Sequence, residues 1–199
     1  MFIRDGAGEA ARALAVLRPR VDASGREEHL ESLELALGYI HAALNRPEAA
    51  PEWLRGETVE SLSRCMGLRN PFLFTVYGRL LLAMGEYKRL EAVARTMPMR
   101  FIAHDSLLGR IHAKVFESVC AHLLGGKAKA LDPLAAAVEL ARPDALVHPI
   151  AEYGRRVVPI LRELKNRHPD DAHLENVYSL AHSLRRPASG DDREKNSLT

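Results

Sequence analysis

The chain of 199 residues is long enough to bury a core, and its length suits one domain or one continuous helical array. Its 28 basic and 26 acidic residues leave a formal charge of +2 and are spread evenly along the chain, so nothing indicates the basic face of a free-standing DNA-binding domain. The start, MFIRDGAGEA, has no apolar signal core, and no run approaches about 18 apolar residues. These features predict a cytoplasmic protein that does not contact a membrane.

The first 67 residues predict three helices. An alanine-rich helix is expected to begin at Ala7 and to end near Pro19, because proline interrupts the hydrogen bonds of a helix interior. Ser24 and Glu27 have the spacing of a capping box, which predicts that Ser24 caps a second helix running to about Asn45. The apolar stripe of that helix consists of Leu30, Leu33, Leu37, Ile40 and Leu44. The third helix is expected at about 57–66.

The stretch from 70 to 97 predicts two short helices separated by a glycine turn. Asn70 and Pro71 form a helix start, since asparagine can cap free backbone donors and proline has no donor to leave unpaired. Gly85 is expected to end the first helix and so to produce a helical hairpin. The apolar stripes are Leu73, Tyr77, Leu80, Leu81 and Met84 on the first helix and Tyr87, Leu90, Ala94 and Met97 on the second. We expect Gly78, which has no side chain, at the close contact between these two helices.

The second half of the chain predicts four more helices. After a connector at 97–100, a long helix is expected that Asp105 can cap and that Gly125 ends. The next helix is expected at Lys127–Arg142, and Pro133 in its first two turns leaves open a later start at Asp132. An irregular elbow at 143–154 precedes two helices whose apolar residues include Val157, Leu161, Leu164, Leu174, Val177, Ala181 and Leu184. Residues 185–199 are polar and without a period, which is typical of a linker or a flexible tail.

The spacing of the hairpin recurs once downstream. The offsets +5, +9 and +12 from Gly85 are found again after Gly125, at Ala130, Leu134 and Ala137. The two glycines are 40 residues apart, whereas a tetratricopeptide repeat has about 34 residues, so the repeats are degenerate. No segment has the alternating pattern of a strand. We therefore predict an all-α fold, a tetratricopeptide-like right-handed helical solenoid of stacked helix hairpins over residues 1–184, followed by a tail at 185–199.

Four segments together resemble a known family. NPFLFTVYGRLLLAMGEYKRL at 70–90 is similar to the "VYG-x-LLL-x-x-GEY" segment in the helical-repeat region of LuxR-family, MalT-like transcriptional regulators, and PEWLRG at 51–56 is similar to the turn that precedes it there. Residues 130–143 resemble that family's "AL-x-x-L-x-x-A-x-x-LA-x-P" helix. HPIAEYG at 148–154 resembles its "x-P-F-x-E-x-G" turn, with Ile150 in place of phenylalanine. The resemblance covers residues 25–184.

The resemblance implies a regulator with three parts: an amino-terminal ATPase module, this helical region as sensor and relay, and a carboxy-terminal helix-turn-helix that binds DNA. The chain has no G-x-x-x-x-G-K-[ST] phosphate loop. It ends in NSLT at 196–199, where the family's DNA-binding domain opens with "LTPRE". We therefore expect a middle module that lacks its own ATPase and DNA-binding domains and meets DNA only through a helix-turn-helix outside this chain.

The residues that could carry chemistry do not assemble into a catalytic pattern. The nine histidines are scattered, and neither H-E-x-x-H nor C-x-x-C occurs, so we predict no metal and no cofactor. Cys120 and His122 are too close along a helix to face one another as nucleophile and base, and the chain is not expected to be an enzyme. Cys65 and Cys120 are interpreted as buried thiols. Glu152, in the elbow, is either a ligand carboxylate or a cap of a local turn.

A concave groove is the candidate binding site. Because the first helix of a tetratricopeptide hairpin lines the inner surface, the offsets from the two glycines predict a groove formed by Phe72, Thr75, Arg79, His112, Val115, Val119 and His122. One cation, two imidazoles and apolar groups would suit an extended peptide or a small anionic effector. The alternative is that these residues pack on a neighbouring repeat. Two functions remain open, a sensor and relay module that binds an effector or a partner protein, and a constitutive protein–protein interaction scaffold; homo-oligomerisation is compatible with both.

Overall fold

The chain was analysed as a computed structural model, which describes residues 6–56, 71–103 and 106–184. These residues contain ten α-helices and no strand, which confirms the predicted all-α class. The helices are α1 (Ala7–Ser24), α2 (Glu27–Ala43), α3 (Glu52–Arg55), α4 (Pro71–Met84), α5 (Tyr87–Ala103), α6 (Leu107–Gly125), α7 (Lys127–Ala141), α8 (His148–Ala151), α9 (Val158–Arg167) and α10 (Ala172–Leu184), with 3-10 turns at Pro47–Ala49 and Gly154–Arg156. The predicted helix at 57–66, Cys65, Asn70, Asp105 and the tail at 185–199 lie outside the described residues.

The first two helices are joined differently from the prediction. Helix α1 continues through Pro19 to Ser24, and Gly25 ends it with a left-handed φ of +63°. The predicted capping box is wrong, because Arg26 is the N-cap of α2 and makes no side-chain cap. The Ser24 hydroxyl donates to the Val21 carbonyl at 2.6 Å and accepts from the Arg26 amide at 3.3 Å. Gly25 can adopt a positive φ and therefore serves as the C-cap of α1. Ser24 is then the last residue of α1 and not the N-cap of α2.

The face that α2 buries also differs from the predicted stripe. Leu33 is buried as predicted, but Leu35 and Gly38 are buried with it, while Leu30 and Leu37 remain partly exposed. Helix α2 packs against α4. A Cβ atom on Gly38 would lie 2.7 Å from Leu54 Cδ1 and 3.0 Å from Val76 Cγ1, so this approach requires a glycine.

The central hairpin forms as predicted from the glycine turn. Helix α4 ends at Met84, Gly85 has a φ of +80°, and the Glu86 amide donates to the Leu81 carbonyl at 2.9 Å before α5 begins. Helix α5 continues to Ala103, so the predicted connector at 97–100 is wrong. Helix α4 is buried at every position from Leu73 to Leu82, because α2, α3, α5 and α6 all pack against it.

Gly78 is buried, but its close contact is not with the second helix of the hairpin. A Cβ atom at Gly78 would lie 2.5 Å from Phe116 Cε2, and Phe116 belongs to α6. The absence of a side chain at Gly78 therefore makes room for a phenylalanine ring of α6, and not for the backbone of α5. Phe116 is fully buried.

The second half of the chain is a run of helices that pack mainly on their chain neighbours, in the order α5, α6, α7, α9 and α10. Ser106 caps α6, since its hydroxyl accepts from the Gly109 amide at 3.2 Å. Helix α7 begins at Lys127, as predicted, and Pro133 lies inside it, so the alternative start at Asp132 is wrong. The elbow contains α8 and the second 3-10 turn. No helix within the described ranges has the length and apolarity needed to cross a bilayer.

Candidate functional site

Two of the seven predicted site residues meet in the interior of the helical array. Arg79 on α4 is 6% exposed and His112 on α6 is 7% exposed. Both side chains are polar, and burying a polar group stabilises a protein only when the group finds partners. Their partners lie in the elbow after α8, which supplies Glu152 and Tyr153, and in the middle of α2, which supplies Tyr39.

The Glu152 carboxylate is at the centre of these contacts. Arg79 Nη1 lies 2.7 Å from Glu152 Oε1, and the side chains are 6% and 2% exposed. The Tyr39 hydroxyl donates to Glu152 Oε2 at 2.5 Å. We call the set of Tyr39, Arg79, His112, Glu152 and Tyr153 the buried polar cluster. It connects three long helices and the elbow, across as many as 113 residues of sequence.

The Arg79 guanidinium lies beside two aromatic rings. Its Cζ atom is 4.4 Å from the centroid of Tyr39 and 5.0 Å from that of Tyr153, distances at which the electron-rich ring faces attract a cation. Burial alone would lower the pKa of Arg79, but the Glu152 carboxylate raises it, and the net shift is upward. Arg79 Nε has no hydrogen-bond partner within the described part of the chain. The Arg79 guanidinium is therefore held in place, although its Nε–H group makes no hydrogen bond.

His112 is neutral in this environment. Burial is the main cause that lowers its pKa to about 3, and the positive charges of Arg79 and His148 lower it further. Its Nδ1 atom lies 2.8 Å from the Tyr153 hydroxyl and 3.7 Å from Glu152 Oε1. Burial also raises the pKa of Tyr153, so this phenol keeps its proton and can donate it to Nδ1 of the neutral imidazole.

Local sequence explains how the elbow presents its two residues. Gly154 adopts a left-handed φ of +49° directly after Tyr153 and begins the 3-10 turn that follows α8. Arg156 Nη1 in that turn donates to the Leu82 carbonyl at 2.5 Å, near the end of α4. The elbow is thus attached to α4 at two points, by Glu152 on Arg79 and by Arg156 on the backbone.

The other predicted site residues do not form an open groove with Arg79 and His112. Thr75 is buried, and Val115 and Val119 have no exposed surface, because α4 and α6 pack against one another where a groove was expected. His122 is half-buried near the end of α6. Phe72 is 44% exposed, and its ring lies 5.8 Å from that of Tyr39. The cluster therefore approaches the surface beside Phe72, through the partly exposed Tyr39.

Sequence reasoning found Arg79 and His112 but missed three members of the cluster. Glu152 was considered either a ligand carboxylate or a local cap, and the structure instead pairs it with Arg79. Arg79 was predicted only from its offset to Gly85, as a groove residue; the signal that could have indicated a buried partner is its position as a cation inside the apolar run VYGRLLL. No comparable local signal marks Tyr39 or Tyr153.

Cys120 and the histidines offer little nucleophilic or metal chemistry. Cys120 is buried, and burial raises its pKa to about 12, so its thiol stays protonated at neutral pH. Its Sγ atom lies 3.6 Å from the Tyr87 carbonyl. Among the residues that the structure describes, no group of three His, Cys, Asp or Glu side chains is placed to hold a metal ion.

The pH dependence of stability provides a test of the buried imidazole. Because the folded pKa of His112 is lowered while the unfolded chain keeps about 6.5, the unfolded state binds the proton first and stability falls as the pH falls. The unfolding free energy of the wild type should therefore fall, relative to that of His112→Gln, by about 1.4 kcal/mol for each pH unit below about pH 6.5, because the variant has no imidazole at this position. Urea denaturation at pH 7, 6 and 5 measures it. Parallel pH profiles for the two proteins would show that His112 titrates normally.

Comparison of the chain with protein-family models, with curated proteins and with solved structures finds no match. The arguments for function rest on the residues themselves.

Proposed function

We propose that this chain is the tetratricopeptide-like sensor and relay module of a LuxR-family, MalT-like regulator, and that the buried polar cluster is the part whose arrangement an effector changes. The ordered set of motifs between residues 25 and 184 supports the family. Within the described ranges, the helices of the second half of the chain pack mainly on their chain neighbours, which supports a repeat architecture.

The single observation that carries the proposal is the buried ion pair between Arg79 and Glu152. Removing two charges from water is costly, and well-packed apolar residues in the same place are often as stable or more stable. A buried pair of this kind therefore points to a role other than stability. Here it attaches the elbow to α4 and so controls how the helices on either side of it pack together.

The chemistry of the cluster favours an anionic effector. Arginine presents a planar fork of donors that matches a carboxylate or a phosphate, and Arg79 still has an unpartnered Nε. An anion that replaces Glu152 on Arg79 would release the elbow from α4. Because α9 and α10 follow the elbow, their position would then change, and a downstream domain would receive the signal there.

Thermal unfolding with a panel of anions tests the proposed function. Inorganic phosphate, malate, citrate and glucose 6-phosphate are the probes. We expect at least one of them to raise the melting temperature of the wild type and to have no effect on the double variant Arg79→Met/Glu152→Leu. The double variant removes both charges together, so it should stay folded. The control is Arg95→Met/Glu91→Leu, which removes an exposed pair on α5 at 2.8 Å.

Two results would contradict the anion mechanism. One is an anion response of equal size in the cluster double variant. The other is the absence of any response in the wild type to all four probes, which would favour the constitutive scaffold. The family assignment has a separate test: a phosphate-loop motif upstream and a helix-turn-helix downstream, in the same reading frame, are expected in the flanking coding sequence.

A further inference from the structure

An open depression of about 480 Å³ lies between α1, α2 and α3, and it shares no residue with the buried polar cluster. Its lining residues are Arg18, Glu34, Pro51, Glu52 and Trp53. The volume lies within the range of ligand pockets in proteins, and it can take a group of several heavy atoms. Two carboxylates and one cation line it, together with an indole ring.

The carboxylate of Glu34 is the polar centre of the depression. Glu34 is 7% exposed, although glutamate is almost never buried without partners. Its Oε2 atom accepts from Trp53 Nε1 at 2.6 Å, and its Oε1 atom accepts from Arg18 Nη2 at 3.0 Å. The indole thereby fixes the orientation of the carboxylate and leaves Oε1 for a cation.

The guanidinium of Arg18 pairs with Glu34 Oε1, but few other contacts hold its side chain. Its side chain is 42% exposed, and it belongs to α1, a helix along which only Ala7 is buried. Its Nε atom also lies 3.8 Å from Asp22 Oδ2, one turn further along the same helix. Because Arg18 is 42% exposed and makes a single hydrogen bond to Glu34, a guanidinium from elsewhere could replace it, and Asp22 would retain the displaced side chain.

We propose that this depression binds the guanidinium of an arginine side chain from a partner polypeptide, in competition with Arg18. A guanidinium can donate to Glu34 Oε1, as Arg18 Nη2 does at 3.0 Å, while Oε2 is held by Trp53. Glu52 adds a second negative charge at the rim, and the Trp53 indole that holds Glu34 also lines the depression. Because the depression is open, a side chain can enter while the backbone of the partner stays outside.

Tryptophan fluorescence gives a direct measurement, because Trp53 is the only tryptophan in the chain. The probe is Nα-acetyl-arginine amide, and the control ligand is Nα-acetyl-citrulline amide, which has nearly the same shape and no charge. We expect a saturable change in emission with the arginine compound, weakening as salt is added, and none with the citrulline compound. An equal response to both ligands would overturn the proposal.

Variants test the competition with Arg18. Arg18→Met should bind the arginine probe up to about fivefold more tightly than wild type, because the intramolecular competitor is gone. Arg12→Met removes the same charge from an exposed position of α1 and should bind like wild type. Glu34→Gln should lose the response while circular dichroism shows that it remains helical. The absence of a saturable response in both wild type and Arg18→Met would overturn the site.

Free arginine tests whether the ligand is a side chain of a polypeptide. Its own α-carboxylate would meet the negative charges of Glu34 and Glu52, so it should bind more weakly than the capped amide. Tighter binding of free arginine would overturn the assignment to a polypeptide partner.

Discussion

Glu152→Gln is expected to lower the free energy of unfolding by about 3 to 5 kcal/mol, measured by urea denaturation at pH 7. The glutamine keeps the size of the side chain and can still accept from the Tyr39 hydroxyl. It removes the negative charge that lies 2.7 Å from the Arg79 guanidinium. Arg79 would then remain charged and buried without a counter-ion, and this uncompensated charge is the source of the loss.

The controls for this variant separate charge from packing. The double variant Arg79→Met/Glu152→Leu should recover most of the lost stability, since neither charge is then left alone. Glu91→Gln breaks an exposed pair with Arg95 and should change stability by no more than about 0.5 kcal/mol. A loss of less than about 1 kcal/mol in Glu152→Gln would mean that water reaches Arg79 and that the cluster is not closed.

The central hairpin could be predicted because its determinants are local. Gly85 must adopt a positive φ, and the stripe that contains Leu80 and Leu81 has the period of a helix, so both signals lie within a few residues of the structure that they produce. Tyr39 and Glu152 carry no such signal. They meet through packing across 113 residues, and Arg79 itself was predicted from its offset to Gly85 as a groove residue, not as the partner of a buried carboxylate.

The predicted end of α1 was wrong because a single proline was treated as decisive. Pro19 was expected to mark a helix end and Pro133 left open a later helix start, yet α1 continues past Pro19 and α7 contains Pro133 in its interior. A proline removes one hydrogen bond, whereas the neighbouring turns contribute many interactions, and tertiary packing can offset that loss. Tertiary packing also explains why the predicted groove residues do not line an open surface. The seven positions do follow helical offsets, but α4 packs against four other helices and α6 is buried along much of its length. Thr75 on α4 and Val115 on α6 are therefore in the core.

The contact at Gly78 makes a second, sharply defined prediction. Gly78→Leu should lower the free energy of unfolding by at least about 2 kcal/mol, because even its Cβ atom would lie 2.5 Å from the fully buried Phe116 ring. Any gain in helix propensity over glycine, about 1 kcal/mol, is smaller than this overpacking cost. Urea denaturation of the variant measures it. Gly8→Leu is the control, since a Cβ atom there meets only the flexible end of Arg12 at 3.8 Å, and this variant should be as stable as wild type.

The Phe116 ring connects this packing contact to the buried polar cluster. It stands edge-on to the Tyr153 ring, with centroids 5.6 Å apart and an interplanar angle of 87°. A side chain at Gly78 must displace the Phe116 ring, which also contacts Tyr153, and Tyr153 holds His112. The smaller change Gly78→Ala should therefore weaken any anion response along with stability, and adding Phe116→Leu should restore part of both by vacating the space. If Gly78→Leu melts within about a degree of wild type, the close approach of α4 and α6 is wrong, and the geometry of the cluster that depends on it is wrong as well.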